Sequence, residues 1–235
     1  MPAPLTIPSR QIHRPGDWRA QLRDVVTDAG QLLQALRLAP GEAGFSAAAA
    51  ADFALKVPRA FVARMRTGDA RDPLLLQVLA GTAEMLPQPG FVEDPVAETG
   101  GANPRPGIIH KYRGRVLLIV SSGCAVHCRY CFRRHFPYAD NRIGREHWGD
   151  ALAKVRQDSS IREVILSGGD PLVATDAQLV ELVEEIAKIP HVQRLRVHTR
   201  LPVVIPSRVT EQLLDTLTDA RLRTLLVIHS NHANE

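Results

Sequence analysis

Hydrophobic positions in the first hundred residues recur at helical spacing, and no run alternates in the manner of a strand. Trp18, Leu22, Val25 and Val26 follow Asp17, whose carboxylate can cap the start of a helix. Leu32, Leu33 and Leu36 continue an apolar face. Ser46 can cap the alanine-rich run to Ala54, which reads as plain helix formers. Pro58 and Pro73 suit the first turns of two further short helices, over Phe61–Met65 and Leu74–Leu79. This part carries no legible chemistry, and a helical region packed against a main domain is expected. From Leu86 to Gly107 prolines and glycines dominate. That stretch predicts an irregular, extended connection that wraps the domain or lines a site.

Beyond it the pattern changes to short apolar runs separated by helical segments. Val116–Val120, Glu163–Leu166, Leu195–Thr199 and Leu222–His229 read as buried parallel strands. Thr175-Asp-Ala-Gln178 has the form of a capping box, with Leu179, Val180, Leu182, Val183 and Ile186 as the buried face of the following helix, which Pro190 stops. Thr210–Leu217 predicts another helix. The alternation predicts an α/β fold with a parallel sheet and right-handed crossovers. The expected division is a helical region with its linker over 1–103 and an α/β core over 104–235. In β/α barrels functional residues gather at the carboxyl ends of strands. The cysteines, Ser167-Gly-Gly-Asp170 and His229 all fall at such ends.

A chain of 235 residues with 45% hydrophobic and 23% charged residues can bury a full core. Its net charge of +4 is mild, and the arginines are scattered apart from Arg129–Arg134, so no nucleic-acid partner is expected. The opening Met-Pro-Ala-Pro-Leu-Thr-Ile-Pro lacks the features of a signal peptide, and no segment has the apolar length of a membrane span. A cytoplasmic, reducing location is therefore expected.

All three cysteines lie in Ser121-Ser-Gly-Cys124-Ala-Val-His-Cys128-Arg-Tyr-Cys131-Phe-Arg-Arg-His135. C-x3-C-x2-C on a glycine-containing loop after a strand gathers soft ligands suited to an iron–sulfur cluster or zinc. A four-iron cubane held by three thiolates keeps one iron open to an outside ligand. A zinc site completed by His127 or His135 is the rival reading. A disulfide framework fits poorly, because the count is odd and the spacing tight.

With Tyr130 just before the last cysteine, this motif resembles the radical S-adenosylmethionine (SAM) superfamily. The longer run Cys128-Arg-Tyr-Cys-Phe-Arg-Arg-His-Phe-Pro-Tyr138 resembles the lysine 2,3-aminomutase family, in the branch that supplies (R)-β-lysine for modifying elongation factor P. The resemblance runs from about Trp18 onward and is densest from Pro104 to Glu235. It implies a partial (β/α) barrel, truncated here after about four strands where such barrels generally have six. It also implies a [4Fe-4S] cluster on Cys124, Cys128 and Cys131, with SAM chelating the open iron and yielding a 5′-deoxyadenosyl radical. Tyr130 would lie near the adenine, Ser167, Gly168, Gly169 and Asp170 near SAM's amino group, and His229 would be a further SAM contact. Arg133 would hold the α-carboxylate of free L-lysine; Arg134 is as well read as a structural charge. Lys111, Tyr112 and Arg115 would contact pyridoxal 5′-phosphate (PLP), with Lys111 where the compared aminomutase has arginine.

In that family the PLP lysine and the acids that bind the substrate's ε-amino group lie further toward the carboxyl end. None is therefore assigned here, and a fragment or a shortened form is expected. Implied partners are an electron donor such as flavodoxin or ferredoxin and an elongation factor P lysyl ligase; the oligomeric state is left open. Remaining alternatives are an aminomutase giving (S)-β-lysine, a radical SAM reaction without PLP, and a non-enzymatic zinc or iron–sulfur module.

Overall fold

The structure is a computed structural model that describes residues 17–104, 106–138, 140–141, 148–218 and 221–235. The amino-terminal stretch read above for a signal peptide, residues 1–16, lies outside the described residues. Asp17 caps α1 (Trp18–Arg23) by accepting the Arg19 N–H at 2.9 Å. Val25–Val26 then leaves the helix as β1, which pairs antiparallel with β2 (Val57–Pro58), so the expectation of no strand in this region is corrected. The two-residue ladder is too short to leave a period-two signal. What fixes it is tertiary: Val26 is buried, and Arg59 bonds both the carbonyl and the carboxylate of Asp24.

Between these strands lie α2 (Ala29–Ala35), burying Leu32 and Leu33, and α3 (Ala47–Asp52), capped by Ser46 Oγ as expected. Arg59–Val62 forms α4. The helix expected over 74–79 is only a 3-10 turn, Leu75–Gln77. Buried Asp72 caps it by accepting the Leu74 and Leu75 N–H groups at 2.9 and 3.0 Å.

The α/β part is built on five strands in the order of the chain: β3 (Ile108–Tyr112), β4 (Arg115–Ser121), β5 (Glu163–Gly168), β6 (Arg194–Thr199) and β7 (Arg223–Ile228). β4 to β7 are parallel, as the apolar runs predict, but the expectation of burial is corrected for β7, the outer strand, whose Leu226, Val227 and Ile228 are exposed. β3 is an addition: His110–Arg115, read as a strand approach, is a hairpin turning at Gly114 (φ +81°), with Tyr112 paired to Arg115. Only Ile108 and Ile109 are apolar and buried, too few to make a run, and His110–Tyr112 are partly or fully exposed, as befits an antiparallel edge strand. Among the described residues the sheet is open and does not close on itself.

Crossovers pack on one face. Helix α5 (Trp148–Gln157), which the sequence reading did not identify, buries Trp148, Ala151, Leu152 and Val155 at helical spacing. Helix α6 (Asp176–Ala187) starts at the expected capping box, Thr175 and Gln178 bonding reciprocally. A short α7 (Leu201–Val204) follows β6 directly, and α8 (Glu211–Thr218) precedes β7. These helices enclose Val116, Leu118, Val120, Val164, Leu166, Leu195 and Val197. The same core takes in the amino-terminal helices. Fully buried Arg208 pairs with Asp176 at 2.8 Å and lies over the Trp18 ring, 4.3 Å from its centroid. Alternation along the strands sends Ile119, Ile165, Ser167, Arg196 and His198 to the opposite face. Among the described residues no helix is long and apolar enough to cross a membrane.

Candidate functional site

β4 ends at Ser121, whose Oγ accepts the Gly123 N–H at 3.0 Å and turns the chain into the cysteine loop. Cys124, Cys128 and Cys131 are free thiols, each half-buried. The loop has little regular structure of its own and is fixed by its neighbours. Lys56 Nζ donates to Cys124 O at 2.8 Å, His127 N to Lys56 O at 2.9 Å, and Arg129 N to Gln77 O at 2.8 Å. Burial raises the Cys124 thiol far above its ordinary value and raises Cys131 as well. A metal or cluster binding these sulfurs must therefore release their protons.

The Ser167-Gly-Gly-Asp170 turn after β5 lies directly against this loop. Gly169 N donates to Ser121 O at 2.7 Å and Asp170 N to Gly123 O at 2.9 Å. A Cβ on Gly168 (φ +118°) would fall within 3.0 Å of Ser121 O, and one on Gly169 within 3.0 Å of Gly123 O. The glycines thus admit the cysteine loop itself, where the sequence reading had them admit a ligand. Gly169→Ala is accordingly expected to destabilise the fold by about 2–4 kcal/mol, through overpacking against backbone that has nowhere to move. A urea titration reads this; an unchanged midpoint would show that the loop tolerates displacement.

Asp170 is buried and saturated: its carboxylate accepts Leu172 N, Thr199 Oγ1, Arg200 N and Leu201 N between 2.6 and 3.0 Å. Burial nevertheless holds its carboxyl above the ordinary value. Its side chain clamps the ends of β5 and β6 together, and what this residue presents to a ligand is backbone.

Arg133 sits where the cysteine loop meets the connection over 94–99. Its Nε and Nη2 donate to the two oxygens of Glu98 at 2.6 and 2.8 Å, and Nη1 donates to Ser167 Oγ at 3.0 Å. Burial pulls the guanidinium down, but the Glu98 bonds outweigh it and hold Arg133 above its ordinary value. The fork expected to take a carboxylate does hold one, supplied by the chain itself. Tyr138 completes this corner, its hydroxyl donating to Gly168 O at 2.7 Å. Arg134 instead pairs with Asp52 at 2.6 Å and Glu84 at 3.0 Å, beside the Arg129–Glu84 pair.

The Tyr130 ring lies 5.7 Å from that of His229, so these two expected contacts are brought together beside the cysteines. Its hydroxyl meets Arg200, Asn231 and Gln77. Arg200, Gln77, Glu98 and Asn231 escaped the sequence reading, since each comes from a different segment and none stands in a recognisable spacing. His198 offers one further group: its Nε2 is buried on the open face of the sheet with no hydrogen-bond partner among the described residues.

The donor set discriminates between metals. His127 turns away from the thiols; its Nδ1 lies 2.8 Å from Ala54 O and its ring stacks on Phe53 at 5.1 Å. His135 is exposed, on the side facing Glu93, Asp94, Glu98 and Thr99. Among the described residues no three Cys, His, Asp or Glu side chains gather as a single metal ion requires. Tetrahedral zinc needs sulfurs within roughly 4 Å of one another; a cubane accepts thiolates at separate corners and needs only the three that are here. Three thiols without a histidine fit the cluster.

Lys111, Tyr112 and Arg115 form a second group. Lys111 Nζ and Arg115 lie near the exposed Tyr112 ring, 5.8 and 5.7 Å from its centroid, and Lys111 Nζ donates to Val96 O. Two cations beside an aromatic ring fit a phosphorylated aromatic cofactor. This hairpin, however, lies at the amino end of β4, roughly 20 Å along the strand from the cysteine loop. The structure gathers these three residues but does not bring them to the thiols.

Comparison with known proteins agrees with this arrangement. The family model described as "Radical SAM superfamily" matches residues 118–229, from within β4 to His229. The chain is 49% identical to the L-lysine 2,3-aminomutase of Escherichia coli over 98% of its own length and 66% of the relative's. For the Haemophilus influenzae L-lysine 2,3-aminomutase the identity is 46% over 93% of this chain and 64% of the relative, and for that of Clostridium subterminale 31% over 93% and 52%. The open-sheet α/β fold with three thiols at its strand ends is that of a radical SAM protein, and the chain belongs to the lysine 2,3-aminomutase family of that superfamily. It spans just under two thirds of the length of the Escherichia coli and Haemophilus influenzae relatives it matches.

Proposed function

We propose that this chain carries the cluster- and SAM-binding part of an enzyme that converts L-lysine to β-lysine by moving the α-amino group to the β carbon. The observation that carries the reading is the locked contact between the cysteine loop and the Ser167–Asp170 turn, through Gly169 N to Ser121 O and Asp170 N to Gly123 O. It makes the three thiols and the Ser167–Asp170 turn, of which Gly169 alone is partly exposed, one surface. In this reading Cys124, Cys128 and Cys131 hold a [4Fe-4S] cluster, and SAM lies between Tyr130, the backbone of Ser167, Gly168, Gly169 and Asp170, and His229. Cluster and SAM together supply a carbon radical strong enough to take hydrogen from an unactivated carbon, and PLP supplies the carrier for the migrating amino group.

The protein's own share is placement. Arg133 binds the α-carboxylate of lysine as a fork, Glu98 yielding that place to it. Tyr138 and Ser167 fix the fork's direction, and the apolar side chains behind the loop keep water from the reacting atoms. On the family resemblance Lys111, Tyr112 and Arg115 are assigned to PLP through charge and a ring face, an assignment that the resemblance carries and their place at the amino end of β4 does not. No residue of this chain is given the Schiff-base role. The wording around the last cysteine, Tyr130 to Phe132, resembles the branch that makes (R)-β-lysine for elongation factor P, and with it come an electron donor such as flavodoxin or ferredoxin and a lysyl ligase as functional partners. Three free thiols suit a reducing cytoplasmic setting.

Anaerobic turnover with SAM, PLP, dithionite and L-lysine tests this, with SAM cleavage read on this chain and β-lysine on a longer protein that carries it together with a PLP lysine. Lysine-dependent 5′-deoxyadenosine and β-lysine of R configuration are expected. The S product would assign the other branch, and cleavage of SAM that ignores lysine would overturn the substrate.

A further inference from the structure

We propose that Arg200 sets the reduction potential of the cluster through Cys128, acting as a positioning residue. The inference rests on the reading of the three cysteines as cluster ligands. Arg200 leaves the end of β6 buried, at 7% exposure, with its backbone N–H fixed by Asp170 Oδ2 at 2.8 Å. Its guanidinium crosses to the cysteine loop. Nη1 donates to Cys128 Sγ at 2.8 Å and to the Tyr130 hydroxyl, and the group lies 5.6 Å from the Tyr130 ring centroid. Nη2 donates to Gln77 Oε1 and pairs with Glu235 at 2.9 Å.

Arginine keeps its charge at all accessible pH. An N–H···S bond draws electron density from a ligating sulfur, and a buried positive charge favours the more negative, reduced cluster. Both raise the potential. Glu235 carries the opposite charge on the same guanidinium and opposes this. Its side chain is 1% exposed, so solvent screens the pair little. The arrangement is therefore a charge and its counter-charge wired to one sulfur, with Asp170 fixing the backbone from which the charge projects. A residue serving only to join Gln77 to the strand ends would need no contact with a cysteine.

The test is the potential of the bound cluster in reconstituted protein without SAM, followed by electron paramagnetic resonance during a redox titration. Arg200→Gln is expected to make reduction at least tenfold less favourable, a shift of about 59 mV to more negative potential for one electron. Glu235→Gln is expected to shift it the other way, and Arg200→Lys to fall between Arg200→Gln and wild type. An unmoved potential in Arg200→Gln at full iron content would overturn the proposal, as would shifts of the same sign in both charge variants, which loosened packing would give. Should Arg200→Gln fail to fold, the Lys variant and Glu235→Gln carry the same comparison. Wild-type protein that assembles no cluster would overturn the cysteine reading instead.

Discussion

Serine at Cys124, Cys128 or Cys131 is expected to abolish cluster assembly and to lower SAM cleavage by at least ~10³-fold, because each thiolate holds one corner and no fourth sulfur can substitute. The fold should survive each change. The loop is held by Lys56 Nζ on Cys124 O and by backbone bonds from His127, Arg129, Gly169 and Asp170, none of which uses a cysteine side chain; Cys128 Sγ accepts one further bond, from Arg200. The expected loss of stability is about 1 kcal/mol. Iron content, the 400 nm absorbance of the reconstituted protein and a thermal melt read the two effects separately. A serine variant that keeps its iron and cleaves SAM would show that the position is not a ligand.

The second large effect concerns Arg133 and Glu98. Arg133→Gln is expected to weaken L-lysine binding by roughly a hundredfold, the loss of a charge-assisted, bidentate contact. It also leaves the Glu98 carboxylate buried and unpaired, so stability should fall by about 3 kcal/mol. Glu98→Gln works in the opposite direction on affinity. It releases a fork now closed by bonds of 2.6 and 2.8 Å, and lysine should bind about tenfold more tightly at some loss of stability. Equilibrium binding of L-lysine to both variants, with melts alongside, decides the matter. Weaker binding in Glu98→Gln would mean that Glu98 orients Arg133 for the substrate rather than competing with it.

Much of the fold could be read from the pattern of side chains because β4, β5 and β6 are buried on one or both faces. Val116–Val120, Glu163–Leu166 and Leu195–Thr199 all lie within observed strands, and the Thr175–Gln178 box opens α6 as expected. What escaped reading lacked local contrast. β1 and β2 have two residues each, β3 is a polar edge, and α5 begins directly after a stretch of chain with no apolar rhythm. The site divides in the same way. Its cysteines stand within eight residues and announce themselves, whereas the side chains that shape their surroundings come from residues 77, 98, 200 and 231. Gly168 and Gly169 were recognisable as a close approach, but only the structure identifies the partner as Ser121–Gly123 backbone.

The central claim is an iron–sulfur cluster with one iron open to SAM. It is tested most directly by reconstituting the protein anaerobically with iron and sulfide, reducing it, and recording electron paramagnetic resonance with and without SAM. The account predicts a [4Fe-4S]⁺ signal whose g values change when SAM is added. One zinc per chain with no cluster signal, or a cluster whose spectrum SAM leaves untouched, would contradict it.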